Sequence, residues 1–182
     1  MKRILIFAGI FFVCLAQNTA RAQSSDQKNK TLRRQVMLAI NNSKTTDSLY
    51  HILAAMPNKS PLITGYIGTL QALKAKHHWN PYYKVKYVNE AEKTFTKAIA
   101  ADPHNMELRF LRFSVDYKLP RLLGYTKNMA ADRAEIILQL SKKNYTADNK
   151  ELLITIINFL LEANTHNATE HNYLTKQLAA LQ

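Results

Sequence analysis

The chain has 182 residues with one cysteine, four glycines and five prolines, and its 25 Lys and Arg against 13 Asp and Glu give a formal net charge of +12. A single thiol excludes an internal disulfide and a multi-cysteine metal site, so stability must come from apolar burial, which a chain of this length can supply. Scarce glycine argues against phosphate-cradling loops, and the basic excess directs attention to anionic partners.

From the N-terminus, Lys2 and Arg3 precede an apolar run from Ile4 to Leu15, and Ala20-Arg21-Ala22 stands before Gln23. Charge, apolar core and small residues in that order form the pattern of a secretory signal peptide, and the run is too short to span a bilayer. Cleavage near Ala22 is therefore expected, with the mature protein periplasmic or extracellular. Cys14 would leave with the leader, and Val13 beside it is not the small residue that lipid attachment requires. No later apolar stretch has the length of a transmembrane segment.

The charge is unevenly spread. From Gln23 to Ala100, 12 Lys and Arg face only Asp26, Asp47, Glu90 and Glu92, whereas from Ala101 onward 10 basic residues face 9 acidic ones. Between Lys28 and Lys86 the only acid is Asp47. A one-sided positive field attracts anionic surfaces and polymers in a salt-sensitive way. For an exported protein, envelope lipid, acidic polysaccharide and acidic proteins come before nucleic acid. Solubility alone is the competing reason for the excess.

Gln23 to Lys30 is polar and charged, which predicts a flexible lead-in. The prolines, Pro57, Pro61, Pro81, Pro103 and Pro120, then fall between apolar-periodic segments rather than inside them, and no useful run of strand alternation is present. The fold class read from this is all-α, a single domain over 31–182 built of antiparallel helical hairpins in two layers. The expected helices are Thr31 to Asn42, Thr46 to Met56, Pro61 to Lys76, Tyr83 to Ala101, Asn105 to Lys118, Asn128 to Lys143, Ala147 to Glu162 and Ala168 to Leu181. Ser60 before Pro61 is a strong start signal, Thr146 a second, and Gly124 suits a turn.

The helix from Asn105 carries the strongest packing argument. At about 100° per residue, Met106, Phe110, Phe113 and Tyr117 line one side and Leu108, Leu111 and Val115 the opposite side. A helix with two opposed apolar faces must be covered twice, so it belongs between neighbouring hairpins. Arg109, Arg112 and Asp116 fall on one edge between those faces, and the four-residue spacing places Asp116 within reach of Arg112. The preceding helix has one apolar stripe, Val88, Ala91, Phe95, Ala98 and Ile99. The run Leu152, Leu153, Ile156, Ile157, Leu160 and Leu161 marks a core helix near the C-terminus.

Ala91, Phe95, Ala98 and Pro103 resemble, in type and spacing, the second helix and exit turn of a tetratricopeptide repeat. Small Ala91 and Ala98 would let the partner helix approach, Phe95 would fill the gap, and Asp102-Pro103 would end the helix. Upstream, Tyr82 falls where the family prefers an aromatic, but Ala75, His78 and Trp79 replace its Trp, Leu and Gly, and no second copy occurs at the family period of about 34 residues. The resemblance implies stacked hairpins and a non-catalytic module that binds protein or peptide partners.

The most site-like stretch runs from Lys74 to Tyr87. It joins the only tryptophan, Trp79, to Tyr82 and Tyr83 and to Lys74, Lys76, Lys84 and Lys86. Flat rings beside ammonium groups suit an anionic or carbohydrate ligand. The alternative is that Trp79 and the tyrosines plug the end of a hairpin while the lysines face solvent. Arg109 and Arg112 are secondary binding candidates. No metal or cofactor is expected: His77 and His78 are adjacent and would diverge, and His166 and His171 are five apart, off the spacing that aligns two ligands. The sequence lacks a Gly-x-Ser-x-Gly elbow and a His-Glu-x-x-His helix, so the function expected is binding or scaffolding in the cell envelope, not catalysis. Peripheral attachment to anionic envelope lipid or polysaccharide through the basic half is the second expectation.

Overall fold

The computed structural model describes residues 27–121, 124–145, 149–163, 165 and 167–182. The expected leader, residues 23–26 and the Thr146 start signal lie outside the described residues. Within them are eight α-helices and no strand. They are α1 over 27–39, α2 Ser43–Ala55, α3 Pro61–His77, α4 Pro81–Ala101, α5 Met106–Lys118, α6 Met129–Ser141, α7 Lys150–Ala163 and α8 Ala168–Leu181, with a 3-10 turn at Tyr125–Asn128 before α6. The lead-in expected through Lys30 is already helical at residue 27. Leu32 and Val36 anchor that helix in the core, and burial outweighs the polarity of its first turn.

Side-chain caps set most of the starts. Asn42 accepts from the Thr45 amide, Ser60 from Ile63, Asn80 from Tyr82 and Asn105 from Leu108, and Asn167 and Glu170 form a reciprocal capping box. Pro61 and Pro81 occupy the first helical position, where their missing N–H is no loss. Gly124 precedes the 3-10 turn at φ +72°, a left-handed conformation that a side chain would strain.

Two apolar clusters share α5. Leu108, Leu111 and Val115 belong to the first, with Leu32, Val36, Leu49, Leu53, Tyr66, Leu70 and Phe95 from α1 to α4. Met106, Phe110, Phe113 and Tyr117 belong to the second, with Ile136, Leu140, Ile156, Ile157, Leu160 and Leu174 from α6 to α8. Leu108 and Phe113 are both 0% exposed, so α5 is covered on both faces, with Phe110, Val115 and Tyr117 partly buried at the margins. α3 is a second inner helix: seven consecutive residues, Gly65 to Gln71, are buried. The glycines permit that closeness. A Cβ at Gly65 would lie 2.3 Å from a Leu108 methyl, and one at Gly68 would lie 3.3 Å from the Phe95 ring.

Polar groups are fixed at the same inner helices. Arg33 grips Glu107 through two hydrogen bonds of 2.7 Å, and the Tyr66 hydroxyl donates to the same carboxylate, tying α1, α3 and α5 together. Burial, reinforced by the Glu107 charge, pushes the Tyr66 phenol well above its ordinary range.

Because both clusters need α5, Phe113→Ala should destabilise the fold by about 3–5 kcal/mol. Its urea transition should remain single, with hydrogen exchange accelerating in α3 and α4 as well as in α7. Exchange that rises only in α6 to α8 would show that the clusters unfold independently.

Candidate functional site

The expected site residues gather, in part, at the elbow between α3 and α4. Residues 78–80 break the chain between the two helices, and the break turns on His78. Its Nδ1 accepts the Asn80 amide at 3.1 Å, which leaves Nε2 to carry the proton of the neutral ring. The imidazole packs 4.8 Å from Tyr83, 6.0 Å from Tyr87 and 6.4 Å from Trp79, the last within 18° of parallel. His78 thus takes the inner place and Trp79 the outer one. Trp79 is 85% exposed and Tyr82 71%. The expectation that Trp79 plugs the hairpin is therefore overturned: Asn80 and Pro81 begin α4 at once, so residue 79 is carried outward. Tyr83 and Val85 are also exposed, and Tyr82 and Tyr83 meet edge to face at 5.4 Å.

The lysines divide. Lys84 and Lys86 are exposed on the first turns of α4, and the Lys86 ammonium lies 5.9 Å from the Tyr83 ring centre. Lys74 turns inward, 3.3 Å from Asp47 and 4.5 and 5.3 Å from the Tyr50 and Tyr87 rings. Lys76 donates to Ile40 O at 2.7 Å and to Asn41 Oδ1, and His77 Nε2 lies 3.0 Å from Ala39 O. These two groups cap the carbonyl end of α1, where a donor or positive charge is favoured. Lys76 is thus engaged in holding α1 to α3.

Arg109 and Arg112 are not part of this surface. Arg112 grips Asp132 of α6 through two bonds of 2.7 Å, and Arg109 adds a third at 2.9 Å. Asp132 is 0% exposed, so both guanidinium groups compensate a buried charge and are not offered to a partner. The expected Arg112–Asp116 pair is likewise replaced, because the α6 carboxylate meets the guanidinium fork squarely. Asp116 Oδ2 is left buried without a hydrogen-bond partner among the described residues. Burial first, then the Glu92 charge, push this carboxyl from 3.8 up to about 7, against the opposing pull of Arg112.

Two recesses border the elbow. The first, of about 380 Å³, is lined by Ser43, Thr46, Asp47 and His51 of α2 together with Lys74, His77, His78 and Tyr87. The second, of about 690 Å³, is an open groove along α4 lined by Pro81, Tyr82, Val85, Lys86, Asn89, Glu90 and Lys93. The α2 contribution was missed from sequence, and its one signal was Asp47 as the lone acid in a basic stretch. Among the described residues, no group of three His, Cys, Asp or Glu is placed to hold a metal, and no helix is long and apolar enough to cross a membrane. No family model, curated protein or solved structure matches this chain.

The raised Asp116 carboxyl has a consequence for stability. Between about pH 4 and pH 7 the folded state keeps a proton that the unfolded chain has released, so the contribution of this group falls as pH rises through that window. Asp116→Asn should therefore stabilise the protein more at pH ~8 than at pH ~5, by on the order of 2 kcal/mol in urea titrations. An equal gain at both values would refute the raised pKa.

Proposed function

We propose that this is an exported, non-catalytic helical scaffold that captures a binding partner on the α3–α4 elbow. The observation that carries it is the exposure of Trp79. An indole 85% open to water, close in sequence to the exposed Tyr82, Lys84 and Lys86, buries little of its surface in the free protein. Large aromatic groups held rigid at a surface are what binding sites use as anchors. The open form of both recesses favours capture over chemistry, which requires groups converging in a closed space. Export rests on the leader pattern of residues 2–22.

We further propose that the α3–α4 hairpin is a diverged tetratricopeptide-like unit. In support, Ala91, Phe95 and Ala98 are each 1% exposed, and the Phe95 ring lies over Gly68 of α3. The first-helix half of the pattern has no such support. Residues 78–80 interrupt it, and Tyr82 is in solvent where a repeat would pack its aromatic.

Immobilised protein should retain its partner from a solubilised envelope fraction. Trp79→Ala or Lys84→Glu should lower that retention by about fivefold or more while far-ultraviolet circular dichroism stays unchanged. Unaltered retention, or unfolding of the Trp79 variant, would return the elbow to a packing role.

A further inference from the structure

The chemistry beside Trp79 narrows the partner class. We propose that the elbow binds an acidic oligosaccharide chain, with one sugar ring in the 380 Å³ recess and its neighbour against the Trp79 indole. The inference rests on the elbow being a docking surface, and it adds what docks there.

Three observations converge. First, the recess offers donors and acceptors side by side. Lys74 and Asp47 lie 3.3 Å apart on its wall, with the Ser43 hydroxyl and the His51 imidazole nearby. An apolar ligand would strip water from Lys74 and Asp47 without replacing their hydrogen bonds, and a bare anion would meet the Asp47 charge. A polyol satisfies both, because each hydroxyl donates and accepts. The volume falls in the range of small-ligand sites, about 300–1,000 Å³.

Second, aromatic rings lead from the recess toward the solvent. Tyr87 and His78 form its wall, and His78 continues into Trp79 at 6.4 Å and within 18° of parallel. Sugar rings present flat faces of C–H groups that pack on such plates, and consecutive rings of a glycan would meet consecutive plates. A protein anchor would need an apolar socket at this point, whereas the recess presents the Lys74–Asp47 pair and the apolar groove lies farther along α4 at Tyr82 and Val85.

Third, the charge selects acidic sugars over neutral ones. Lys84 and Lys86 stand exposed on the adjoining turns of α4, and from Gln23 to Ala100 only four acids oppose 12 Lys and Arg. Carboxylates spaced along a uronate chain would lie in that field while the hydroxyls engage the recess.

Trp79 is the only tryptophan, so its emission reports on the elbow directly. Titration of the protein with tetragalacturonate should give a saturable change in Trp79 emission, and a neutral glucan tetramer should bind at least about tenfold more weakly. Lys74→Gln in the recess and the pair Lys84→Gln with Lys86→Gln should each weaken galacturonate by about tenfold with circular dichroism intact. Calorimetry with Trp79→Ala should show the same loss. Equal binding of the neutral glucan would overturn the charge selection. A response to polyglutamate or to phosphatidylglycerol vesicles as strong as that to galacturonate would overturn the sugar assignment and leave a general polyanion surface. Silence toward both sugars, with retention of envelope material still dependent on Trp79, would overturn the glycan inference while the docking surface stands. Loss of that dependence as well would remove both.

Discussion

The structure depends on α5 being apolar on two opposite sides. A helix with one greasy stripe can end a fold, because its other side is content in water; α5 cannot. Leu108 and Leu111 draw α1 to α4 onto one side, Phe113 and Met106 draw α6 to α8 onto the other, and the two cores share a single wall. The close approach of α3 to that wall depends on Gly65, which leaves room for the Leu108 side chain.

Placing α5 inside creates a second constraint, since its charged edges are carried inward as well. Each edge is answered by a carboxylate–guanidinium fork to a neighbouring helix: Arg33 of α1 meets Glu107, and Asp132 of α6 meets Arg112. Forks of this geometry fix rotation and register as well as charge, so they help decide how the hairpins are set against α5. Asp116 is the remainder of that arrangement, a buried carboxyl whose Oδ2 has no hydrogen-bond partner among the described residues.

The elbow follows from the opposite condition. The α3–α4 hairpin is closed internally by Phe95 over Gly68 and by the two alanines, and its end is sealed by His78 against Tyr83 and Tyr87. With the hairpin already closed, Trp79 and Tyr82 are not required for packing and remain in solvent. α2 lies alongside this end of the hairpin, so Asp47, His51 and Lys74 line one polar recess. A basic and aromatic stretch of sequence thus becomes a two-part surface, one part polar and recessed, the other flat and exposed.

The sequence by itself determined the class of the fold, the proline-marked helix order, the stripe on α4 and the double face of α5. All of these are local: they follow from a period of about 3.6 residues and from caps within one turn, which any stretch of chain carries with it. It also marked the elbow as the place where aromatic and basic residues concentrate. Tertiary structure alone decided which of those residues are available. Lys76 closes the end of α1, Lys74 turns to Asp47, and Arg109 and Arg112 are taken by Asp132, each through a partner 20 or more residues away. Nothing in the spacing of a single helix encodes such a partner, because an ion pair between helices depends on how two rigid bodies meet. For the same reason the sequence could show only that Asp116, four residues along the same helix, lies within reach of Arg112, while the folded protein pairs Arg112 with Asp132, where a neighbouring helix delivers a carboxylate to two guanidinium nitrogens.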